Sequence, residues 1–292
     1  MSAARQGILA ILGSAFIWGL SPLYYKALSH VPPLELLAHR VLWSVVFFVL
    51  LLVLQRRIGA LWMALCQCRS ALITLFAALL LGLNWFVFIN SIQIEKATEA
   101  SLGYFIFPLV VASLGWLGFG ERLSKVQYIA LALVTLAVGL ITLAEGVLPW
   151  ISLLIAISFG LYGCVKKKIS NGPVVSVTAE VLLLTPLAAL VLLTIHGAGA
   201  GSFGRFLLDD VLLISSGLLT ATPLILFAFA AKHISMATLG LMTYLNPILQ
   251  FICATVIFLE PIRPLEIFSF GLIWAALALY SAEGFRLEKT KS

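Results

Sequence analysis

The chain has 292 residues, of which 62% are hydrophobic and only 10% are charged, with a net charge of +6 and a mean hydropathy of +1.12. A water-soluble domain carries about 25% charged residues, so this composition excludes a disordered chain, a nucleic-acid-binding module and a disulfide-stabilised secreted domain. It predicts a protein that lies mostly in lipid, whose positive charge bears on membrane orientation.

Ten apolar runs follow one another along the chain, each close to the roughly 20 residues that a membrane-crossing helix needs. They cover approximately residues 7–26, 34–54, 71–92, 100–118, 125–143, 148–165, 174–195, 211–230, 237–258 and 265–282. The runs are continuous and do not alternate every second residue, which predicts helices and not a β-barrel. The predicted fold is an all-α polytopic membrane protein with ten transmembrane helices. The first run is long and lacks a following cleavage signal, so we expect an uncleaved span.

The basic residues are divided unevenly between the two ends of the spans. We call the end with the N-terminus, the even-numbered loops and the C-terminus the even side, and the opposite end the odd side. The even side holds 13 of the 18 Lys and Arg residues, the odd side holds four, and Arg40 lies inside a span. Because short cytoplasmic loops carry the excess of basic residues, both termini are predicted to be cytoplasmic.

A motif that occurs twice indicates an internal repeat. It comprises Ala100-Ser101-Leu102-Gly103, Pro108 and Glu121, and then Ala237-Thr238-Leu239-Gly240, Pro247 and Glu260. Trp18-Gly19-Leu20 and Phe159-Gly160-Leu161 form a similar pair. The repeats are predicted at 1–144 and 147–283, with five helices each, followed by a cytoplasmic tail at 284–292. Because five is odd, the second repeat must be inverted, as in many secondary transporters whose binding site lies near the midplane.

Other motifs resemble the RarD branch of the EamA family in the drug/metabolite transporter superfamily. They are Ala15-Phe16-Ile17-Trp18-Gly19, His39-Arg40-Val41-Leu42-Trp43-Ser44, Asn84-Trp85, the segment from Glu99 to Leu109, and Gly120-Glu121-Arg122. The resemblance implies two five-helix EamA repeats, location in the bacterial inner membrane, and transport of small metabolites or drugs; RarD proteins are commonly labelled chloramphenicol-sensitivity permeases. Leu241 stands where the first repeat has Tyr104, so we expect an asymmetric binding surface.

Polar and aromatic residues lie on one face of several spans, and polar groups inside a membrane usually face protein or a water-filled cavity. We therefore predict a central substrate cavity in which aromatic faces hold the solute and amides orient it. Its predicted lining is Trp18, Ser21, Asn84, Trp85, Tyr104, Thr243, Tyr244, Asn246 and Gln250. The alternative is that these residues serve only helix–helix packing and hydrogen bonding.

Pro108 and Pro247 occupy equivalent positions in the fourth and ninth spans. Proline removes a backbone donor and kinks a helix, so we interpret these spans as gates that open to opposite sides. The alternative is that the prolines are simply tolerated in membrane helices.

Four ionisable residues inside spans are candidates for coupling or charge recognition: Glu35, His39, Arg40 and Glu180. Glu35 and His39 are spaced to pair on one helix. Arg40 either snorkels to the interface or acts as a countercharge or anchor for an anionic group. His39 or Glu180 could relay protons as the coupling ion.

The predicted function is secondary transport of small neutral, zwitterionic or aromatic metabolites or drugs by alternating access. A passive channel or facilitator is the alternative. A membrane enzyme is disfavoured because the four His and four Cys residues form no catalytic or metal-binding pattern. We accordingly predict no catalytic residue, no metal site and no cofactor, and no oligomeric state is predicted.

Overall fold

A computed structural model describes residues 3–119, 123–167, 169 and 171–291. The motif residues Gly120, Glu121 and Arg122 lie outside the described residues. The helices are α1 (Ala3–Gly19), α2 (Ser21–Ala27), α3 (Pro33–Leu54), α4 (Ile58–Cys66), α5 (Cys68–Gln93), α6 (Ala97–Phe119), α7 (Lys125–Glu145), α8 (Trp150–Lys166), α9 (Pro173–Gly197), α10 (Leu207–His233), α11 (Met236–Thr243), α12 (Leu245–Ile252) and α13 (Pro264–Lys291). A π-helical turn at Cys253–Ile257 continues α12.

The ten predicted spans coincide with helical segments. Within the described ranges, nine segments are long and apolar enough to cross a membrane, and the 17-residue α8 is a shorter apolar helix. The first span comprises α1 and α2, and the ninth comprises α11, α12 and the π-helical turn. The chain is therefore an all-α, multi-pass membrane protein, as the continuous apolar runs predicted.

The two motif prolines have different effects on their helices. The ninth span is interrupted at Tyr244, three residues before Pro247, whereas α6 runs unbroken through Pro108. A proline cannot donate to the carbonyl four residues earlier and its ring crowds that group. In the ninth span this carbonyl belongs to Thr243, at the interruption. The equivalent prolines therefore do not produce equivalent breaks, and the gating roles stay predictions.

Most of the extensive helix packing joins residues 1–144 to residues 147–283. The main pairs are α3 with α9, α7 with α13, α1 with α10 and α12, α8 with α5 and α6, α10 with α3, α9 with α5, and α12 with α6. Exchanging each span with the one five spans away maps this set of pairs onto itself. For example, α1 with α10 becomes α8 with α5. The centre of the molecule is thus an interface between the two halves of the chain.

A short helix on the even side, α4, was not among the predicted elements. Leu61 and Ala64 are buried in a cluster with Leu52 and with residues of α9. Trp62 and Met63 on the same helix are exposed. Nine residues cannot cross a bilayer, so α4 lies against the helix bundle as a peripheral element.

Candidate functional site

Asn84 and Tyr104 form a polar junction between the two halves at mid-span. The Tyr104 hydroxyl donates to Asn84 Oδ1 at 2.9 Å. Asn84 Nδ2 in turn donates to the Ile155 carbonyl at 3.0 Å and to Ser158 Oγ at 3.2 Å. Asn84 is buried, and a buried amide is stabilised when both of its ends are bonded. Two predicted cavity residues, on α5 and α6, therefore meet each other and the second half at α8.

A series of aromatic rings runs from the odd side past this junction toward the even side. Ring centroids are 5.1 Å apart for Tyr24 and Tyr25, 5.8 Å for Tyr25 and Phe88, 5.6 Å for Phe88 and Tyr104, 6.1 Å for Tyr104 and Phe159, and 5.6 Å for Phe159 and Tyr162. All five separations lie in the range of favourable aromatic pairs. The series crosses from the first half to the second between Tyr104 and Phe159.

Arg40 lies beside the odd-side end of this series. Its Nε donates to Thr220 Oγ1 at 2.9 Å and its Nη1 donates to the Tyr25 hydroxyl at 2.7 Å. The guanidinium carbon lies 4.0 Å from the centroid of the Trp85 ring, in cation–π contact. The residue is only 5% exposed. Arg40 therefore points into the protein and does not snorkel to the interface, and it brings Trp85 into the same cluster.

Glu180 lies beside the other end of the series. It is fully buried, and its carboxylate accepts hydrogen bonds from the Tyr162 hydroxyl at 3.0 Å, from Lys166 Nζ at 2.6 Å and from Ser176 Oγ at 2.9 Å. Lys166 also contacts Ser176. The negative charge of Glu180 is thus balanced by Lys166 and is fully hydrogen-bonded. The ring series ends on a neutralised ion pair.

Glu35 and His39 lie on the odd side, away from the aromatic series. The Glu35 carboxylate accepts hydrogen bonds from Ser202 N at 2.6 Å, Ser202 Oγ at 3.1 Å and Phe203 N at 3.3 Å. The His39 ring stacks on Phe203 at 4.9 Å, and its Nε2 has no hydrogen-bond partner among the described residues. Glu35 therefore anchors the loop between α9 and α10 instead of forming the expected bond to His39.

The polar stripe of the ninth span divides between two environments. Gln250 Nε2 donates to Asn246 Oδ1 at 2.9 Å and approaches the Trp18 carbonyl at 3.5 Å, so these residues meet the first span. Tyr244 instead lines an apolar groove of about 300 Å³ with residues of α13, including Leu277. Two predicted hydroxyls bond to nearby backbone: Thr243 Oγ1 to Gly240 O at 2.6 Å and Ser21 Oγ to Trp18 O at 2.7 Å.

The ring series and the ion pair at its end include six residues that were not among the predicted cavity residues: Tyr24, Tyr25, Phe88, Phe159, Tyr162 and Lys166. Phe159 had a usable signal, because it is the repeat equivalent of Trp18. In the sequence, Lys166 is one of the 13 basic residues on the even side. Its position at the end of α8, facing Glu180, depends on the packing of α8 against its neighbours.

Hydrogen bonds join the two halves on the odd side. The Glu260 carboxylate accepts from Ala97 N, Thr98 N and Thr98 Oγ1, all at 2.7 Å. It thereby caps the first turn of α6, which has backbone donors without helical partners. Further bonds on this side join Tyr24 OH to Leu212 O at 2.6 Å and Ser152 Oγ to Glu99 O at 2.6 Å, and His30 Nε2 lies 2.9 Å from Asp209 Oδ2.

Gly103 and Gly240, which are equivalent positions of the repeated motif, differ in how closely other helices approach them. A Cβ atom added to Gly103 would lie 2.8 Å from both the Ser152 carbonyl oxygen and Ile155 Cβ. A Cβ added to Gly240 would have no described atom within 4 Å, apart from its own helix backbone and chain neighbours. Only glycine permits the close approach of α6 to α8 at Gly103. Gly103 is therefore packed tightly against a neighbouring helix, whereas Gly240 faces open space.

Comparison with known proteins identifies the family. The sequence model of the EamA-like transporter family matches residues 5–143. An uncharacterized transporter of Vibrio cholerae serotype O1 is 36% identical over 97% of this chain and 94% of its own. Protein RarD of Streptomyces exfoliatus is 38% identical over 97% of this chain and 90% of its own. One protein crystal structure covers 98% of both chains at 17% identity, with a TM-score of 0.62, which shows a shared fold. The chain therefore belongs to the EamA family of membrane transporters, as a RarD-like member of the drug/metabolite transporter superfamily.

Proposed function

We propose that this membrane transporter is a secondary carrier that moves small solutes by alternating access through the aromatic cluster between its two halves. The observation that carries the proposal is the junction of Tyr104, Asn84 and Ser158, which joins both halves at mid-span within a continuous series of aromatic rings. A site shared by two halves can be exposed to either side when the halves rock against each other.

We propose further that the two halves, 1–144 and 147–283, are inverted repeats. The set of packed helix pairs is unchanged when each span is exchanged with its counterpart. The EamA sequence model ends at residue 143, close to the boundary between the halves. An odd number of spans in each half requires opposite orientations in the membrane.

The contrast between Gly103 and Gly240 supports alternating access over a fixed pore. Gly103 is packed against α8, whereas Gly240 faces open space. In inverted repeats, a rocking motion opens one of these contacts as it closes the other. The structure corresponds in this scheme to a state closed on the odd side, with Gly240 closing against α1 in the opposite state.

The proposed solutes are small, neutral or zwitterionic molecules with aromatic or apolar groups. Aromatic faces line the centre, and Asn84 supplies the amide that orients a polar group. We also propose location in the bacterial inner membrane with both termini cytoplasmic, because the even side carries the excess of basic residues. Protons are the proposed coupling ion.

Solute counterflow in proteoliposomes tests this function. Vesicles loaded with unlabelled L-phenylalanine or chloramphenicol should accumulate the same labelled compound transiently and saturably. Tyr104→Ala should reduce accumulation at least tenfold, because it removes both a ring and the partner of Asn84. Tyr128→Ala, on the exposed face of α7, is the matched control and should retain it. Linear flux without exchange would favour a channel, and absence of flux for both compounds would reject this solute class.

A further inference from the structure

We propose that Arg40 is the anchor for a carboxylate group, so that the transported solutes include monocarboxylates with an aromatic or apolar side group. This inference rests on the proposed transport function and extends its substrate class to solutes with a net negative charge. It follows from three features of Arg40: its unbalanced charge, its unused hydrogen-bond donors and its aromatic surroundings.

The charge of Arg40 is not balanced within the described part of the chain. None of the acidic side chains in that part forms an ion pair with Arg40. Its repeat equivalent, Glu180, is by contrast paired with Lys166. A buried charge without a partner is costly inside a membrane, so a bound anion stabilises this site.

The guanidinium also retains free donors. A guanidinium carries five N–H groups, and described residues accept from one at Nε and one at Nη1. No described residue accepts a hydrogen bond from Nη2. The remaining N–H groups at Nη1 and Nη2 form the planar fork that binds a carboxylate with two parallel hydrogen bonds.

The surroundings hold this fork in place and define the rest of the ligand. Trp85 covers one face of the guanidinium, while Tyr25 and Thr220 hold its nitrogens. Beyond Tyr25 the series continues with Phe88 and Tyr104, whose rings offer apolar contact to a side group. The buried carboxylate at the other end is neutralised by Lys166, so the site favours a net negative solute over a net positive one.

Ligand-dependent thermal stabilisation of the purified protein tests the proposal. The probes are 3-phenylpropionate, its amide 3-phenylpropanamide and the amine 3-phenylpropylamine, which share one ring and differ in charge. The wild-type protein should bind the acid at least tenfold more tightly than the amide, and the amine most weakly. Sodium chloride at the same concentration is the control for ionic strength. An equal shift with chloride would overturn the proposal, since the site would then accept any small anion.

Variants assign the effect to Arg40. Arg40→Gln should bring the ratio of acid to amide affinity close to one, and Arg40→Lys should retain only part of the preference because an ammonium lacks the fork. Arg56→Gln removes an exposed even-side cation and should leave the ratio unchanged. If Arg40→Gln fails to fold, Arg40→Lys decides, because its ratio of acid to amide affinity should lie below that of the wild type. A full preference for the acid in Arg40→Gln or Arg40→Lys, or no binding of the acid to the wild type, would overturn the proposal.

The outcomes separate this inference from the transport function. Counterflow of a neutral solute with no preference for acids would leave the carrier intact and reject the role of Arg40. Arg40-dependent binding of the acid without counterflow of any probe would support the anion site and reject the carrier.

Discussion

Gly103 and Gly240 occupy the same position in two copies of one motif, yet only Gly103 is pressed against a neighbouring helix, with Ser152 and Ile155 in contact. We predict that Gly103→Ala destabilises the observed state by about 1–3 kcal/mol, the usual effect of overpacking. The odd side should then open more often. The measurement uses a cysteine introduced at Phe88 in an otherwise cysteine-free chain. A membrane-impermeant thiol reagent added from the odd side should modify this cysteine faster when Gly103→Ala is present than when Gly103 is retained.

Gly240→Ala is the matched variant. The added methyl group meets open space in the observed state, so thermal stability should change little. Transport should nevertheless fall, because the opposite state needs the close approach at this position. Equal loss of stability in the two alanine variants would contradict the reciprocal arrangement of the motif copies.

Glu260 fastens the ninth span to the start of α6 through three hydrogen bonds. Glu260→Gln should lower the free energy of unfolding by about 0.5–2 kcal/mol, the range for loss of a helix cap. Hydrogen–deuterium exchange should increase at residues 97–100. Glu99→Gln, which breaks a partly exposed ion pair with Lys96 in the same turn, is the control and should change exchange little. Unaltered exchange in Glu260→Gln would mean that the cap is dispensable.

Glu35 anchors the loop between α9 and α10. We predict that Glu35→Ala leaves partly buried backbone donors at Ser202 and Phe203 unpaired, at a cost of about 1 kcal/mol. Amide exchange across residues 198–206 should accelerate selectively. Glu95→Gln alters an odd-side ion pair in which the Glu95 side chain is 75% exposed, and it should leave that loop unchanged. Uniform acceleration over the whole chain in Glu35→Ala would argue against a local anchor.

Lys166 and Glu180 form an ion pair whose carboxylate is buried. Lys166→Met should destabilise the protein by about 3–5 kcal/mol because it leaves a buried charge unpaired. The double variant Lys166→Met with Glu180→Gln removes both charges and should recover most of the loss in thermal unfolding. A double variant as unstable as Lys166→Met alone would exclude the charge as the cause.

Substitutions of Glu180 and His39 test proton coupling. If Glu180 or His39 relays protons, Glu180→Gln or His39→Gln should abolish uptake driven by a pH gradient while counterflow, which needs no gradient, persists. Undiminished gradient-driven uptake in both variants would reject the relay.

The membrane spans were predictable because each is an apolar run long enough to read without its neighbours. The short helix α4 could not be predicted in this way. Its residues lie between Arg57 and Arg69 and resemble a loop, and only the three-dimensional structure shows that Leu61 is buried against α9. The contact between Asn84 and Tyr104 could be expected, because lipid offers no hydrogen-bond partners and polar side chains inside a membrane therefore face other protein groups.

Contacts between residues far apart in the sequence could not be predicted from the spacing of residues along one helix. Glu35 and His39 were expected to pair because they are four residues apart, but backbone donors 167 and 168 residues further along occupy the carboxylate. Tyr244 was grouped with Asn246, but the helix interruption at Tyr244 turns it toward α13. The pairing of Lys166 with Glu180 likewise depended on how α8 and α9 meet.

Arg40 also bears on what the protein keeps out. Arg40 lies about 10 Å along the helix axis from Pro33, the first residue of α3, at 1.5 Å per residue. A fixed positive charge there raises the electrostatic energy of any cation at the same depth. Positive groups of this kind block the passage of protons and alkali ions in membrane pores. We therefore expect the guanidinium over Trp85 to disfavour the leakage of cations through this bundle.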